Sequence, residues 1–248
     1  MAEAGDRVTI VTKRGKEEGI LIPSFEKNVV LLKLDNGYNV GFEKKEITKM
    51  TVLEKGKGKK LEGKAVAVRK ELPTIAILHT GGTIASKADY RTGGVATAFS
   101  PEELLRMFPE LEEIANIQSE LVSQMWSDDL RFAHMGLIAK AIEKYVKKGV
   151  NGIIIGMGTD NLAVGAAALS FVVEKSPVPI ILVGAQRSSD RGSSDAGMNL
   201  ICAAEFVTKA DFGGVAMCMH EQSDDKSCVI LPACKTYKLH SSRRDAFK

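Results

Sequence analysis

Four apolar runs in the later part of the chain place the strongest constraint on its fold. They cover residues 75–78, 152–155, 179–183 and 214–219. Each is as long as a strand buried inside a sheet. Helical apolar spacing occupies residues 129–148, 162–173 and 196–208. Strands that alternate with helices predict an α/β fold, in which a doubly wound parallel sheet has right-handed crossovers.

The first 54 residues follow a different pattern. Five short stretches alternate or are apolar, as β-strands do. These stretches are residues 7–12, 19–23, 28–34, 38–42 and 46–53. Asn36-Gly37 between the third and fourth stretches is typical of a tight hairpin turn. We therefore expect a small SH3-like all-β domain over residues 1–54, a type of module that more often docks a partner than catalyses a reaction.

Residues 55–71 predict a basic linker between this domain and the rest of the chain. Glycine and lysine dominate its first part, and the apolar period is lost. Its lysines could contact an RNA backbone, or repulsion between them could simply keep a solvated linker extended. The composition favours the solvated linker.

Composition excludes several classes of protein. The 34 basic and 31 acidic residues leave a net charge of +3, which is too small to indicate nucleic-acid binding by itself. Apolar runs are too short to span a bilayer, and the N-terminus has no signal-peptide core, so we expect a cytoplasmic protein without a membrane partner. Neither the four cysteines nor the four histidines have the spacing of a disulfide frame or a metal site. We expect no metal.

Two of the predicted strands end in loops of similar composition. Thr80-Gly81-Gly82-Thr83 follows the first, and Gly158-Thr159-Asp160 follows the second. Parallel strands end at one edge of a sheet, where ligands of open α/β sheets bind, so both loops can face one crevice. A threonine hydroxyl becomes a nucleophile only with help from a base. Lys238 beside Asp160 could hold or relay the proton of Thr159, which gives the roles of nucleophile, base and orienting group.

The first of these loops has a second interpretation. It could cradle a phosphate in a non-catalytic RNA- or nucleotide-binding module. No G-x-G-x-x-G motif follows the first strand, and no acidic residue is placed to bind a ribose. The sequence therefore favours an enzyme.

Four motifs together resemble the type I/II L-asparaginase family. They are Thr-Gly-Gly-Thr-Ile-Ala at 80–85, Gly-Thr-Asp at 158–160, Val-Gly-Ala-Gln-Arg at 183–187 and Lys-Leu-His-Ser-Ser-Arg-Arg-Asp-Ala-Phe at 238–247. The resemblance runs from about Leu72 onward and implies an asparaginase-like α/β domain over residues 72–248. Further phrases at 34–41, 89–93 and 241–247 resemble the subfamily that supplies the glutaminase subunit of archaeal-type glutamyl-tRNA(Gln) amidotransferases. That subfamily carries a small β domain before the asparaginase-like domain.

The resemblance implies catalytic roles for five residues. Thr83 matches the family's first catalytic threonine, the acyl acceptor, and Tyr90 matches the loop tyrosine that polarises it. Thr159, Asp160 and Lys238 match the second threonine with its acid and lysine. Which threonine attacks first stays open.

The resemblance also implies a substrate-binding set. Ser127 and Asp128 stand where the family binds the α-carboxylate and α-amine of the substrate, a match that rests on their spacing to the following helix. Gly82 and Gly158 would let the backbone approach the substrate closely. Asp160 would also meet the α-ammonium group.

The implied reaction is hydrolysis of the glutamine side-chain amide to glutamate and ammonia. The ammonia would pass to a GatE-like amidating partner subunit, which converts Glu-tRNA(Gln) to Gln-tRNA(Gln), binds most of the tRNA and uses ATP and Mg. This subunit would need no cofactor and would form a homodimer through its asparaginase-like domain. The alternative enzyme is a free-standing L-asparaginase, against which the β domain argues. Glutamine and asparagine differ by one methylene, worth only about 1–3 kcal/mol, so the substrate stays open.

The chain departs from the family in two respects. The family usually has His-Gly-Thr-Asp-Thr where this chain has Met157-Gly158-Thr159-Asp160-Asn161, which removes two hydrogen-bonding groups that orient the loop. Family members also continue beyond the lysine segment into a second, smaller α/β domain that completes the site across a dimer. We therefore expect a C-terminally truncated chain.

Overall fold

The computed structural model describes two compact units. The described residues are 2, 5–13, 15–22, 28–34, 39–55, 68–82, 84, 86–88, 95–97, 104–105, 107–123, 125–187 and 194–248. One unit comprises residues 1–62 and 88–96, and the other comprises residues 63–87 and 97–248. The domain boundaries expected at residues 54 and 72 stay predictions.

The smaller unit contains a five-stranded antiparallel sheet. Its strands are β1 (Arg7–Thr12), β2 (Gly15–Ile22), β3 (Val29–Lys33), β4 (Asn39–Glu43) and β5 (Ile47–Glu54). They are ordered β4-β3-β2-β1-β5 around a core of Val8, Ile10, Val30 and Leu32. All five predicted strands are present, and a short 3-10 helix, Lys44–Glu46, precedes the last one. The predicted Asn36-Gly37 turn lies outside the described residues, and closure of the sheet into a barrel stays a prediction.

The larger unit is built on a six-stranded mixed sheet. Its strands are β6 (Thr74–His79), β9 (Asn116–Leu121), β10 (Gly152–Gly156), β11 (Pro179–Val183), β12 (Gly214–His220) and β13 (Cys228–Pro232). The order is β13-β12-β11-β10-β6-β9, in which only the β12–β13 pair is antiparallel. The α/β fold is confirmed, but the sheet is not wholly parallel. Two further three-residue strands are β7 (Ser86–Ala88) and β8 (Val95–Thr97).

Helices cover both faces of this sheet, as a doubly wound fold requires. They are α1 (Leu111–Ile114), α2 (Phe132–Lys147), α3 (Leu162–Val172) and α4 (Ala196–Lys209). Alternate residues of β6 point to opposite faces: Ala76 and Leu78 pack with α2 and α3, whereas Ile75 and Ile77 pack with α1 and α4. The sheet is therefore buried on both sides.

The three long helices occur where the apolar spacing predicts them. Helix α2 begins three residues later than expected, because Ser127–Asp129 forms a separate 3-10 turn. Gly149 follows α2 with φ of +77°, the left-handed conformation typical of a residue just past a helix end. In the part of the chain that the structure describes, no helix combines the length and apolar character needed to cross a membrane.

The sheet register brings two loops side by side. β6 and β10 are parallel neighbours, and His79 lies opposite Gly156 at their carboxyl ends. Immediately beyond them, the Thr80 amide and hydroxyl both donate to the carbonyl of Gly156, at 2.9 and 3.1 Å. Thr80 is buried and its hydroxyl serves the turn. The loops after β6 and β10 therefore leave the sheet together.

Candidate active site

Three loops meet in backbone contact at the carboxyl edge of the sheet. A Cβ atom placed on Gly82 would lie 2.5 Å from the amide nitrogen of Gly158. One placed on Gly158 would lie 2.9 Å from Oγ of Ser127. Gly82 also has φ of +85°, which side chains of L-residues rarely allow. Glycine therefore lets the β6 loop, the β10 loop and the Ser127 turn close on one another, as the two matching loops predict.

Thr159 lies at the centre of a short polar chain. Lys238 Nζ donates to Thr159 Oγ1 at 2.7 Å and forms an ion pair with Asp160 Oδ1 at 2.8 Å. Thr159 Oγ1 in turn donates to Gln186 Oε1 at 3.3 Å. The structure thus brings together the threonine, acid and lysine that the sequence singles out.

Burial separates the two charged members of this chain. The side chain of Lys238 is 11% exposed, whereas that of Asp160 is 61% exposed. Lys238 is therefore held against Thr159 while Asp160 keeps a face open to solvent. This arrangement leaves the carboxylate able to meet a further cation, and places the lysine nitrogen within proton-transfer distance of the hydroxyl.

Lys238 is positioned by a chain segment that folds back on itself. Tyr237 and Lys248 exchange backbone hydrogen bonds of 2.8 and 3.1 Å, and Leu239 N donates to Ala246 O at 2.6 Å. Ala246 and Phe247 anchor this segment in the core beneath helices α2 and α3. From its own sequence context Lys238 looks like a surface lysine, and only the burial of its neighbours brings it inward.

Ser127 and Asp128 lie on the same turn but in different environments. Ser127 is buried, and its carbonyl accepts a hydrogen bond from Asn161 Nδ2 at 2.7 Å. Asp128 is exposed, and its carbonyl accepts from Arg131 Nη1 at 2.7 Å. The structure therefore brings Ser127 against Gly158 and leaves Asp128 at the surface of the turn.

The two departures from the family have structural counterparts. Asn161 ties the β10 loop to the Ser127 turn through its side-chain amide, so it supplies an orienting hydrogen bond of its own. Met157 is buried in the core, and a Cβ on Gly165 of α3 would lie only 3.0 Å from its sulfur. The loop therefore retains a polar tie on one flank and gains an apolar anchor on the other.

Two residues beside Thr159 were not assigned a role from the sequence. Gln186 accepts from Thr159, and the carboxylate of Asp195 accepts from the backbone amides of Gln186 and Arg187, each at 3.0 Å. Asp195 is fully buried and stands just before α4. An aspartate immediately before a helical run was a signal for a cap, but here the carboxylate reaches the loop instead of the helix amides.

Thr83 and Tyr90, the expected acyl acceptor and its polarising tyrosine, lie outside the described residues. Within the described ranges, no three His, Cys, Asp or Glu side chains are arranged to hold a metal ion. The candidate active site therefore consists of Thr159, Asp160, Lys238 and Gln186, with Ser127 and the glycines closing around it.

Family models match both parts of the chain. Residues 74–248 match the model described as asparaginase, N-terminal, and residues 2–53 match the model described as GatD N-terminal domain. These matches agree with the division between an all-β unit and an α/β unit.

Curated relatives include archaeal glutamyl-tRNA(Gln) amidotransferase subunits of the GatD type. The one from Pyrococcus furiosus is 46% identical over 255 residues, which cover 99% of this chain and 58% of that protein. The one from Archaeoglobus fulgidus is 46% identical over 244 residues, which cover 98% of this chain and 57% of that protein. The chain thus spans less than three-fifths of the length of these relatives.

Solved structures of L-asparaginases share the fold. A probable cytoplasmic L-asparaginase from Campylobacter jejuni has a TM-score of 0.60 and 30% identity, covering 71% of this chain and 51% of that one. The thermostable L-asparaginase from Thermococcus kodakarensis has a TM-score of 0.62 and 28% identity, covering 71% of this chain and 50% of that one.

Proposed function

This chain belongs to the asparaginase family, with a GatD N-terminal domain ahead of its asparaginase domain, and we propose that it acts as the glutaminase subunit of a glutamyl-tRNA(Gln) amidotransferase. The observation that carries the proposal is the contact chain from Asp160 through Lys238 to Thr159. It supplies an acid, an amine and a hydroxyl at distances that allow proton transfer. Such a set is what hydrolysis of an unreactive amide requires.

The proposed reaction splits amide hydrolysis into two steps. A threonine hydroxyl adds to the amide carbon of glutamine, and its proton is taken up within the Thr159–Lys238 pair. The C–N bond then breaks, and the nitrogen leaves as ammonia after accepting a proton. Water cleaves the resulting ester, which releases glutamate and restores the hydroxyl. We assign the acyl-acceptor role to Thr83, because its loop is brought beside the Thr159 loop by the contact of Gly82 with Gly158.

Substrate binding follows from the surrounding groups. Asp160 is open enough to hold the α-ammonium group of an amino acid while it stays paired with Lys238. Ser127 and Asp128 are proposed to take the α-carboxylate and α-amine, with Gly82 and Gly158 leaving room for the substrate backbone. Tyr90 is proposed to polarise Thr83.

The partners are proposed from the named relatives. Ammonia would pass to a GatE-like amidating subunit in the cytoplasm, which uses ATP and Mg and holds most of the Glu-tRNA(Gln). The asparaginase-like domain would form a homodimer. Because the similar solved structures are L-asparaginases, a free-standing L-asparaginase is the second candidate function.

Ammonia release tests the proposal. Full-length protein, expressed from its complete gene, is assayed with glutamine and with asparagine beside Thr83→Val and Lys238→Ala variants. We expect glutamine to be the better substrate, and loss of the positioned base to lower kcat about 10²- to 10⁴-fold. Lys235→Ala, at an exposed lysine three residues away, is the matched control and should keep wild-type turnover.

Two results would count against the proposal. Undiminished turnover in both Thr83→Val and Lys238→Ala would rule out the threonine mechanism. A strong preference for asparagine, with no co-purification of an amidating subunit, would favour the free-standing asparaginase.

A further inference from the structure

We propose that Gln186 is a positioning residue of the amide-hydrolysing site, where its side-chain carbonyl sets the direction in which the Thr159 hydroxyl holds its proton. Gln186 follows β11, and its Oε1 lies 3.3 Å from Thr159 Oγ1. The inference rests on the proposed function, because it concerns the hydroxyl that Lys238 contacts.

The direction of the proton follows from hydrogen-bond valence. A threonine hydroxyl has one proton and two lone pairs, whereas a lysine ammonium can only donate. Lys238 Nζ, 2.7 Å away, therefore occupies a lone pair of Thr159 Oγ1. The hydroxyl proton must point elsewhere, and Gln186 Oε1 accepts it. The resting order of donors thus runs from Lys238 through Thr159 to Gln186.

This order has a consequence for the reaction. When Lys238 is neutral, the hydroxyl can turn its proton from Gln186 Oε1 to Lys238 Nζ. Gln186 consequently stabilises the charged resting state, in which Thr159 presents a lone pair to the ammonium. The balance between the two states depends on the acceptor strength of residue 186.

The backbone of Gln186 is fixed by a buried carboxylate. Both oxygens of Asp195 lie 3.0 Å from the Gln186 amide nitrogen, and Oδ1 also accepts from Arg187 N at 3.0 Å. Asn199 Nδ2 adds a bond of 3.0 Å to the carbonyl of Gly184. A fully buried carboxylate is costly unless hydrogen bonds compensate for lost hydration. Here that compensation holds the β11 loop at a fixed distance from Thr159.

The other end of the Gln186 amide supports a functional role. Its Nε2 is buried, and none of the described groups accepts a hydrogen bond from it. An unsatisfied buried donor costs about 1–3 kcal/mol, and such groups call for a specific explanation. An apolar side chain of equal length would avoid this cost. The contact of Oε1 with Thr159 explains why an amide occupies the position.

The charged groups around the hydroxyl define how the inference can be tested. Lys238 and Asp160 lie on one side of Thr159, and Arg187 follows Gln186 in the loop. Asp195 lies behind the loop, where its carboxylate binds backbone amides. A new charge at position 186 would therefore act first on Lys238 through Thr159.

The test compares Gln186→Glu with Gln186→Met in full-length protein, by the pH dependence of kcat/KM for ammonia release. A carboxylate at position 186 favours the ammonium form of Lys238, so the rising limb should move to higher pH by about one unit or more. Methionine keeps the length but removes the acceptor, so the limb should move to lower pH. Its kcat should fall about 3- to 10-fold, as expected for one hydrogen bond.

Gln222→Glu and Gln222→Met, on an exposed loop, are the matched controls and should keep the wild-type profile. Wild-type profiles with wild-type kcat in both Gln186 variants, or shifts in the same direction, would overturn the inference. Should Gln186→Glu fail to fold, the methionine variant decides alone by the same criterion. Wild-type protein that releases no ammonia from either amide overturns the proposed function instead, so the two failures are distinct.

Discussion

His79 is a buried titratable group beside the site. It ends β6, is 2% exposed, and precedes the loop of Gly81 and Gly82. Burial lowers its pKa from 6.5 to about 4, because the charged imidazolium would lose its hydration. The folded protein therefore binds fewer protons than the unfolded chain between these values. Stability should be fully present above pH 6.5 and should fall as the pH drops toward 4.

This pH dependence is our prediction at the scale of one residue. Replacing His79 by glutamine removes the titration, so between pH 7 and pH 4 the wild-type protein should lose about 3 kcal/mol more of its free energy of unfolding than the variant. Urea unfolding of full-length protein at the two pH values measures the difference. His240→Gln, at an exposed histidine, should behave like wild type. Equal losses in wild type and His79→Gln would contradict the prediction.

Residue roles could be predicted where side chains carry the chemistry. Thr159, Asp160 and Lys238 were all identified from the sequence, and the structure brings them into contact. Asp195 was missed because it acts on backbone amides, which every residue possesses and no sequence pattern marks. Gln186 was part of a quoted motif, but its distance from Thr159 depends on the pairing of β10 with β11.

The contact between loops determines how precisely the site is assembled. Gly82 must hold φ of +85°, and its missing side chain leaves space for Gly158. Gly82→Ala should separate the two loops, and a displacement of about 1 Å can lower catalysis about 10²-fold. Ammonia release by full-length protein measures the loss.

Gly136→Ala is the matched control for this change. Gly136 is an exposed residue of α2, and nothing lies within 4 Å of an added Cβ. Alanine there should leave turnover unchanged and raise the free energy of unfolding by about 0.5–1 kcal/mol. Equal activities of Gly82→Ala and Gly136→Ala would show that the loops tolerate separation.

Elements were predictable in proportion to their burial. The central strands β6, β10, β11 and β12 are buried on both faces and appear as apolar runs. Strand β9 was missed because it lies at an edge and only Ile117 among its residues is buried, so polar residues interrupt the pattern. Strand β13 was missed as well, since it reverses direction at the other edge instead of following a crossover helix.

At the scale of the molecule, the all-β unit can be separated from the chemistry. Its core of Val8, Ile10, Val30 and Leu32 is formed within residues 1–54. The contacts among Thr159, Lys238 and Gln186 all lie within the larger unit. The two units should therefore contribute to different activities.

Removal of residues 1–54 from full-length protein tests this separation. We expect association with the amidating subunit, or transfer of ammonia to tRNA, to weaken, while ammonia release from glutamine persists. Co-purification and glutaminase assays on the same preparation measure both. An intact complex with normal amidation would show that the all-β unit does not dock the partner.

The fold-back segment that carries Lys238 also sets when the site can form during synthesis. Thr159 and Lys238 are 79 residues apart in the chain. Ribosomes add about 5–20 residues per second, so the lysine emerges about 4–16 s after the threonine. The segment closes only after Ala246 and Phe247 have followed and entered the core. A nascent chain therefore carries the hydroxyl without its base, and the ability to release ammonia arises only at the end of this interval.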